Sequence, residues 1–274
     1  MIFRIIFYFG LSLCMVFGDA LDDKIQNLIG MQSYNVNRNF IDRIFQNKND
    51  FYTDGRIDIQ KLMATLKDNG LLVLKFKEPA ELNVAFVSQT TPIFLTRSIN
   101  STLSSMGYSY FAVSKAEYID GIAKITFSFS TEHALDPSIV INELLKRGYF
   151  FTDIKRNSIY DWEYDIELID PKLANAREIS SADGIIDVRD VSGEYWFSTQ
   201  DSGNIAIKAK TSSWHPRIIL YDKNLQIINL INQTTPTNKI TFSLLDGVRF
   251  IMISDTQNPA IIKNGIQIQF ETSE

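Results

Sequence analysis

Few side chains in this sequence could carry acid–base or nucleophilic chemistry, and they are scattered. There are two histidines, His133 and His215, and a single cysteine, Cys14. A Ser/His or Cys/His pair needs an imidazole as its base near neutral pH. His133 falls in the turn Ser130-Thr-Glu-His-Ala134 and His215 in the loop Trp214-His-Pro216, with no G-x-S-x-G motif beside either. Loop histidine is the plain reading of both. Two imidazoles and one thiol also make a poor zinc ligand set.

Carboxylates are the better candidates. Asp161, Glu163, Asp165 and Glu167 alternate with Trp162, Tyr164, Ile166 and Leu168. A spacing of two puts the four acids on one face of a strand and the apolar residues on the other. Such a stripe can serve as a solvated strand face, as a contact for a basic partner, or as the paired carboxylates of a glycosidase. The run Asp50-Phe-Tyr-Thr-Asp-Gly-Arg-Ile-Asp58 has acids and a glycine at calcium-loop spacing. Tyr52 stands at the third ligand position, however, and Lys61 where a bidentate glutamate is needed, so a tight turn leading into a helix explains it without metal. Glycines are isolated, and neither GxxxxGK[ST] nor GxGxxG occurs. No catalytic residue, cofactor or metal is expected.

Trp196 and Trp214 are candidate stacking platforms for a sugar or small ligand, or simply packed side chains. The aromatic run Tyr149-Phe150-Phe151 and the acid stripe are the candidate contact surfaces for another protein. The net charge is −5, with no basic stripe, which leaves no electrostatic footprint for nucleic acid.

The elements that would position these residues follow two grammars. Residues 1–18, MIFRIIFYFGLSLCMVFG, place Arg4 ahead of an apolar run and end in a small residue, the pattern of a secretory signal peptide. A run of about 13 apolar residues is short for a membrane span, which takes roughly 20. A retained anchor and a lipid-modified Cys14 are the alternatives; Leu13 before the cysteine is too large for the latter. Cleavage would remove the only cysteine. A cysteine-free chain of this size outside the cytoplasm fits a bacterial periplasm, with envelope proteins as partners.

Residues 19–60 are expected to be mainly helical, with short amphipathic helices at 21–30 and 39–46. Over 61–170 one pattern recurs: Leu62, Leu66, Gly70; Ile99, Leu103, Gly107; Val140, Leu144, Gly148. In each, two apolar residues share a helical face and a glycine follows where a helix end needs a left-handed residue. A strand pattern comes after each glycine. From residue 82 the order predicts either a ferredoxin-like unit or tandem αββ repeats. Residues 171–184 read as a polar linker. From 185 to 274 only strands and turns remain, with strands expected near 185–191, 195–199, 205–209, 217–221, 225–231, 240–244, 248–253 and 266–270. The fold class is therefore α+β, small α+β modules followed by an antiparallel β-sandwich.

The succession Gly193-Glu-Tyr-Trp-Phe197, Asn204-Ile-Ala-Ile-Lys208, Arg217-Ile-Ile-Leu-Tyr-Asp222, Leu244-Leu-Asp-Gly-Val-Arg-Phe-Ile251 and Gly265-Ile-Gln-Ile268 resembles the bacterial pre-peptidase C-terminal domain. Val248 and Ile266 stand where that family often has tyrosine. The resemblance implies a jelly-roll-like accessory module with no chemistry of its own. Tyr52–Leu62, with Leu66-Lys-Asp-Asn-Gly-Leu71, is similar to periplasmic accessory proteins that build disks around flagellar motors. That resemblance implies a non-enzymatic scaffold subunit of an envelope machine.

Overall fold

The computed structural model describes residues 20–210 and 213–271. The expected signal peptide, with Arg4 and Cys14, lies outside the described residues. The chain is a mixed α+β protein that divides into two compact units, Met1–Ile169 and Asp170–Glu274.

The first unit opens with helix α1 (20–29), whose Leu21, Ile25, Leu28 and Ile29 form one buried stripe. Helix α2 (Met31–Ile44) starts well before the expected 39, because the chain resumes helical geometry directly after Gly30. It buries only Tyr34 and Ile41, and Phe40 is exposed. After a 3-10 turn, Lys48–Phe51, strands β1 (Tyr52–Thr53) and β2 (Arg56–Ile57) form a small hairpin around Asp54-Gly55. Both turn residues have positive φ, as a two-residue hairpin turn of this kind requires. Asp58 then caps helix α3 (Ile59–Asp68) by accepting from the Lys61 N–H at 2.9 Å. The run 50–58 is thus a turn, a hairpin and a helix cap.

The rest of the unit is one five-stranded sheet: β3 (Lys75–Ser88), β4 (Ala112–Ile119), β5 (Ile122–His133), β6 (Tyr149–Ser158) and β7 (Asp161–Leu168). Helices α4 (Pro92–Ser105) and α5 (Pro137–Leu145) are interleaved with the strands. Thr91 and Asp136 cap them, with Pro92 and Pro137 in the first turn. Gly70, Gly107 and Gly148 all have positive φ at the helix ends, as their shared spacing predicts. The sheet order is β4-β5-β3-β7-β6. Neighbours are antiparallel except β3 and β7, which run parallel. A ferredoxin-like unit would place its fourth strand beside its first. Here β6, the fourth, is at the edge, and β7 takes the place next to β3. Each helix is followed by a hairpin, and the second strand of each hairpin pairs with β3.

One face of this sheet is apolar and covered by helices. Val84, Phe86, Phe127, Ile154, Trp162 and Tyr164 are buried on it, with Phe94, Leu95 and Ile99 of α4 and Val140, Ile141 and Leu144 of α5 above. Phe86 stacks on Tyr164 at 5.3 Å between ring centroids. Each such fully buried side chain contributes about 1.5–3 kcal/mol. Arg147 ties the helices together. Its guanidinium is buried and donates to Ser101 O (3.0 Å), Ser105 Oγ (2.8 Å), Glu143 O (2.7 Å) and Glu143 Oε2 (2.9 Å). It joins α4 to the end of α5.

In the second unit the strands are β8 (Ala176–Glu178), β9 (Ile186–Val188), β10 (Tyr195–Ser198), β11 (Gly203–Ala209), β12 (Pro216–Tyr221), β13 (Ile227–Asn232), β14 (Lys239–Leu244), β15 (Phe250–Asp255) and β16 (Ile266–Glu271). They form two sheets, β13-β12-β15-β10-β8 and β14-β11-β16-β9. Tyr195, Phe197, Ile218, Leu220, Ile251 and Ile253 of the first sheet share one buried cluster with Ile205, Ile207, Phe242, Leu244, Ile266 and Ile268 of the second. Residues 171–184, expected as a linker, are partly built into this unit. β8 pairs in parallel with β10, and Ile179 is buried, its N–H donating to Ser198 O. Three residues with one apolar side chain after them give too little pattern to read as a strand.

Gly193 marks the tightest backbone approach in this unit. It has φ +72°, and a Cβ there would lie 1.9 Å from the carbonyl oxygen of Pro259. Both strain and clash forbid a side chain. We expect Gly193→Ala to destabilise the second unit by roughly 2–4 kcal/mol in denaturant melts, with Gly184→Ala costing about 1 kcal/mol, since a Cβ at 184 meets nothing within 4 Å.

Candidate functional site

The strand period decides what Tyr149-Phe150-Phe151 can do. In β6 these residues pair with Leu168, Glu167 and Ile166 of β7. Tyr149 and Phe151 point into the core, at 1% and 5% exposure, whereas Phe150 is 49% exposed. The aromatic contact surface expected from the run therefore reduces to one outward ring. Burial pushes the Tyr149 phenol well above its ordinary pKa, and it stays neutral. Tyr164 is raised in the same way.

Phe150 borders a groove of about 460 Å³, with Ile57 and Ile59 on one side, Ile141 and Leu145 of α5 on another, and Phe151 beneath. Asp54, Arg56 and Asp58 line the same groove and supply charge of both signs. The groove runs along the outer side of β6, which is a sheet edge. Part of that edge is covered by α1. Lys24 Nζ donates to Asp153 Oδ1 at 2.6 Å, Asn27 exchanges hydrogen bonds with the N–H and carbonyl of Arg156, and Arg156 donates to Leu28 O at 3.0 Å. Residues 149–152 precede this covered stretch, and among the described residues their only strand partner is β7.

The acid stripe lies on the sheet face away from the helices, and its central members are engaged by lysines. Glu163 accepts from Lys124 of β5 at 2.6 Å and from Lys155 of β6 at 2.8 Å, and Lys155 also donates to Asp165 at 2.7 Å. Asp161 accepts from Asn157 at 3.3 Å, and Glu167 is exposed. Burial pushes the Glu163 carboxyl up, but the two ammonium groups outweigh it and hold its pKa below the usual range. The carboxylates of Asp165 and Glu163 raise the Lys155 pKa. The two central acids of the stripe are thus held in ion pairs within the sheet, and Asp161 and Glu167 at its ends are not lysine-paired by these contacts.

Trp214 is not a surface residue. It is fully buried in the shared cluster of the second unit, and its backbone exchanges two 2.9 Å hydrogen bonds with Thr237. A side chain expected as a contact residue is instead core. Trp196 is 7% exposed and stacked on Tyr221 at 5.4 Å. His133 and His215 fall in different units. The His215 N–H donates to the Asp255 carboxylate at 2.7 Å, and Gln257 and Asn258 N–H groups donate to its other oxygen at 2.8 and 2.9 Å. Burial pushes Asp255 up, yet these three donors outweigh it and keep it ionised. The carboxylate organises the turn 255–258.

The residues that complete the groove went unseen in the sequence. Nothing local singles out Ile57, Ile59, Ile141 or Leu145, and only the fold brings them beside Phe150. Among the described residues no group of three or more His, Cys, Asp or Glu side chains is arranged to hold a metal ion, and no helix is long and apolar enough to cross a membrane. Comparison with protein-family models and with curated proteins finds no match to the chain.

The lysine–carboxylate row makes a pH prediction. Because the folded pKa of Glu163 is depressed, its contribution is full above the ordinary glutamate value of about 4.3 and is lost as pH falls through the folded value. We expect Glu163→Gln to flatten the acid limb of a stability–pH profile. Lys155→Ala should cost about 1 kcal/mol at pH 7, discounted for the half-exposed ammonium.

Proposed function

We propose that this protein is a non-enzymatic interaction protein of the periplasm, a scaffold subunit of an envelope assembly such as a flagellar motor, that receives a segment of a partner along the outer edge of β6. One observation carries the reading. An outward phenylalanine, a groove with apolar side chains and the start of an edge strand whose only described strand partner is β7 converge at residues 149–152. An edge strand offers unpaired N–H and C=O groups to an extended chain, and a neighbouring groove selects its side chains. Arg56, Asp54 and Asp58 at the same groove would favour a segment that carries charge beside its apolar anchor.

The periplasmic address rests on the signal-like pattern of residues 1–18. The scaffold class rests on the resemblance of 52–71 to motor accessory proteins. For the fold, we assign the first unit to tandem αββ repeats about a common strand, and the second to a jelly-roll-like sandwich of the pre-peptidase C-terminal kind. Two sheets sharing one cluster support the second assignment. The sugar-binding reading loses its main platform with Trp214 in the core. The glycosidase reading loses its acid pair, since Glu163 and Asp165 are engaged by Lys155.

The test is affinity purification from solubilised envelope of the native host, followed by mass spectrometry. The account predicts a defined set of envelope proteins, reduced about tenfold or more by Phe150→Asp and unchanged by Glu167→Gln. A set indifferent to residue 150, or no defined set at all, contradicts it.

A further inference from the structure

The opposite edge of the same sheet, β4, carries a second surface. It is eight residues long, pairs only with β5 among the described residues, and is exposed along nearly its whole length. Val113 is 46%, Tyr118 54% and Ile119 65% exposed. Natural sheets usually guard an edge of this length with charge, a bulge or a covering element. β4 has a bulge near Ser114 and one cation, Lys115, whose partner is Glu117 of the same strand at 3.0 Å.

The order of these residues is self-complementary. The run is Val113-Ser-Lys-Ala-Glu-Tyr-Ile119. If two copies of β4 are laid antiparallel about a two-fold axis at Ala116, Lys115 of each faces Glu117 of the other. The small Ala116 faces itself at the axis, and the bulge between Val113 and Lys115 ends the regular register just beyond the charge pairs. Residues directly opposite share a sheet face, so both charge pairs form on the same side. That side is the polar one: Glu117 pairs with Lys124 of β5, which in turn binds Glu163 of β7. The alternating charge row would continue without a break into the second copy.

We infer that β4 is a self-association edge, at which two copies of this chain join antiparallel into one continuous sheet. A C2 interface must be complementary to itself. Charge order and the small residue at the axis both meet that condition. The reading is independent of the β6 groove, which lies at the other end of the sheet.

Sedimentation velocity on the purified protein across a concentration series tests it. The expected result is a reversible dimer. Lys115→Glu alone and Glu117→Lys alone each set like charges opposite one another at two symmetric places, and each should raise the dimer dissociation constant about tenfold or more. The double variant Lys115→Glu/Glu117→Lys restores both pairs and should dimerise as the parent does, which also excludes misfolding as the cause. A monomer at all concentrations overturns the inference and leaves the edge to a foreign strand. A dimer indifferent to the single reversals, or one that the double variant fails to restore, overturns it as well.

Discussion

The first unit depends on one strand. β3 has to satisfy hydrogen bonds on both sides, and the chain does this with the second strand of each of two hairpins, β5 antiparallel and β7 parallel. A parallel pair cannot be closed by a tight turn. It needs a long connection, and the chain from β3 to β7 supplies one. β7 is suited to the inside place: Trp162, Tyr164 and Ile166 are buried on its helix-side face, while Glu163 meets Lys155 of the flanking β6 and Lys124 of β5, which reaches across β3. β6 is thereby left at the edge. The strand period turns Phe150 outward, and the place of β6 sets that ring beside a groove. The site follows from the strand order.

The same order explains why the central acids of the stripe are engaged within the sheet. An alternating strand inside an open sheet must meet its neighbours' side chains at about 5 Å. Lys124 and Lys155 stand within reach, and the two central acids, Glu163 and Asp165, become part of a cross-strand ion-pair cluster. On the other face the helices are held by apolar burial and by Arg147, whose donors all find acceptors on α4 and α5. A buried guanidinium left unpaired would cost several kcal/mol, so this satisfied cluster fixes the place of α5 and with it Ile141 and Leu145 of the groove. Charge on one face and packing on the other leave the sheet edges as the surfaces open to other chains.

Local signals were legible in the sequence. The glycines at 70, 107 and 148, the proline-bearing caps at 92 and 137, and the alternation in β7, β11 and β16 are set by residues a few positions apart. What could not be read depends on distance along the chain. Lys124 is 39 residues from Glu163, and nothing near either announces the pair. Whether β6 or β7 lies beside β3 is a choice between two strands of similar apolar content. β8 is too short to show a period, and its place beside β10 is set by a sheet already formed. Trp214, flanked by serine, histidine and proline, reads as a loop residue; its burial comes from the two sheets closing over it. The groove joins residues 57, 59, 141, 145 and 150, a set that exists only after folding.

The central claim is that the outer edge of β6 at Phe150 is where this protein meets its partner. Site-specific photocrosslinking in living cells of the native host is the most direct measurement, with a photoreactive phenylalanine at position 150 and, separately, at the exposed position 161 at the other end of β7. The account predicts a discrete crosslinked species of higher mass from position 150, and a weak or absent one from 161. Crosslinking from 161 without any from 150 would contradict it and move the contact away from Phe150.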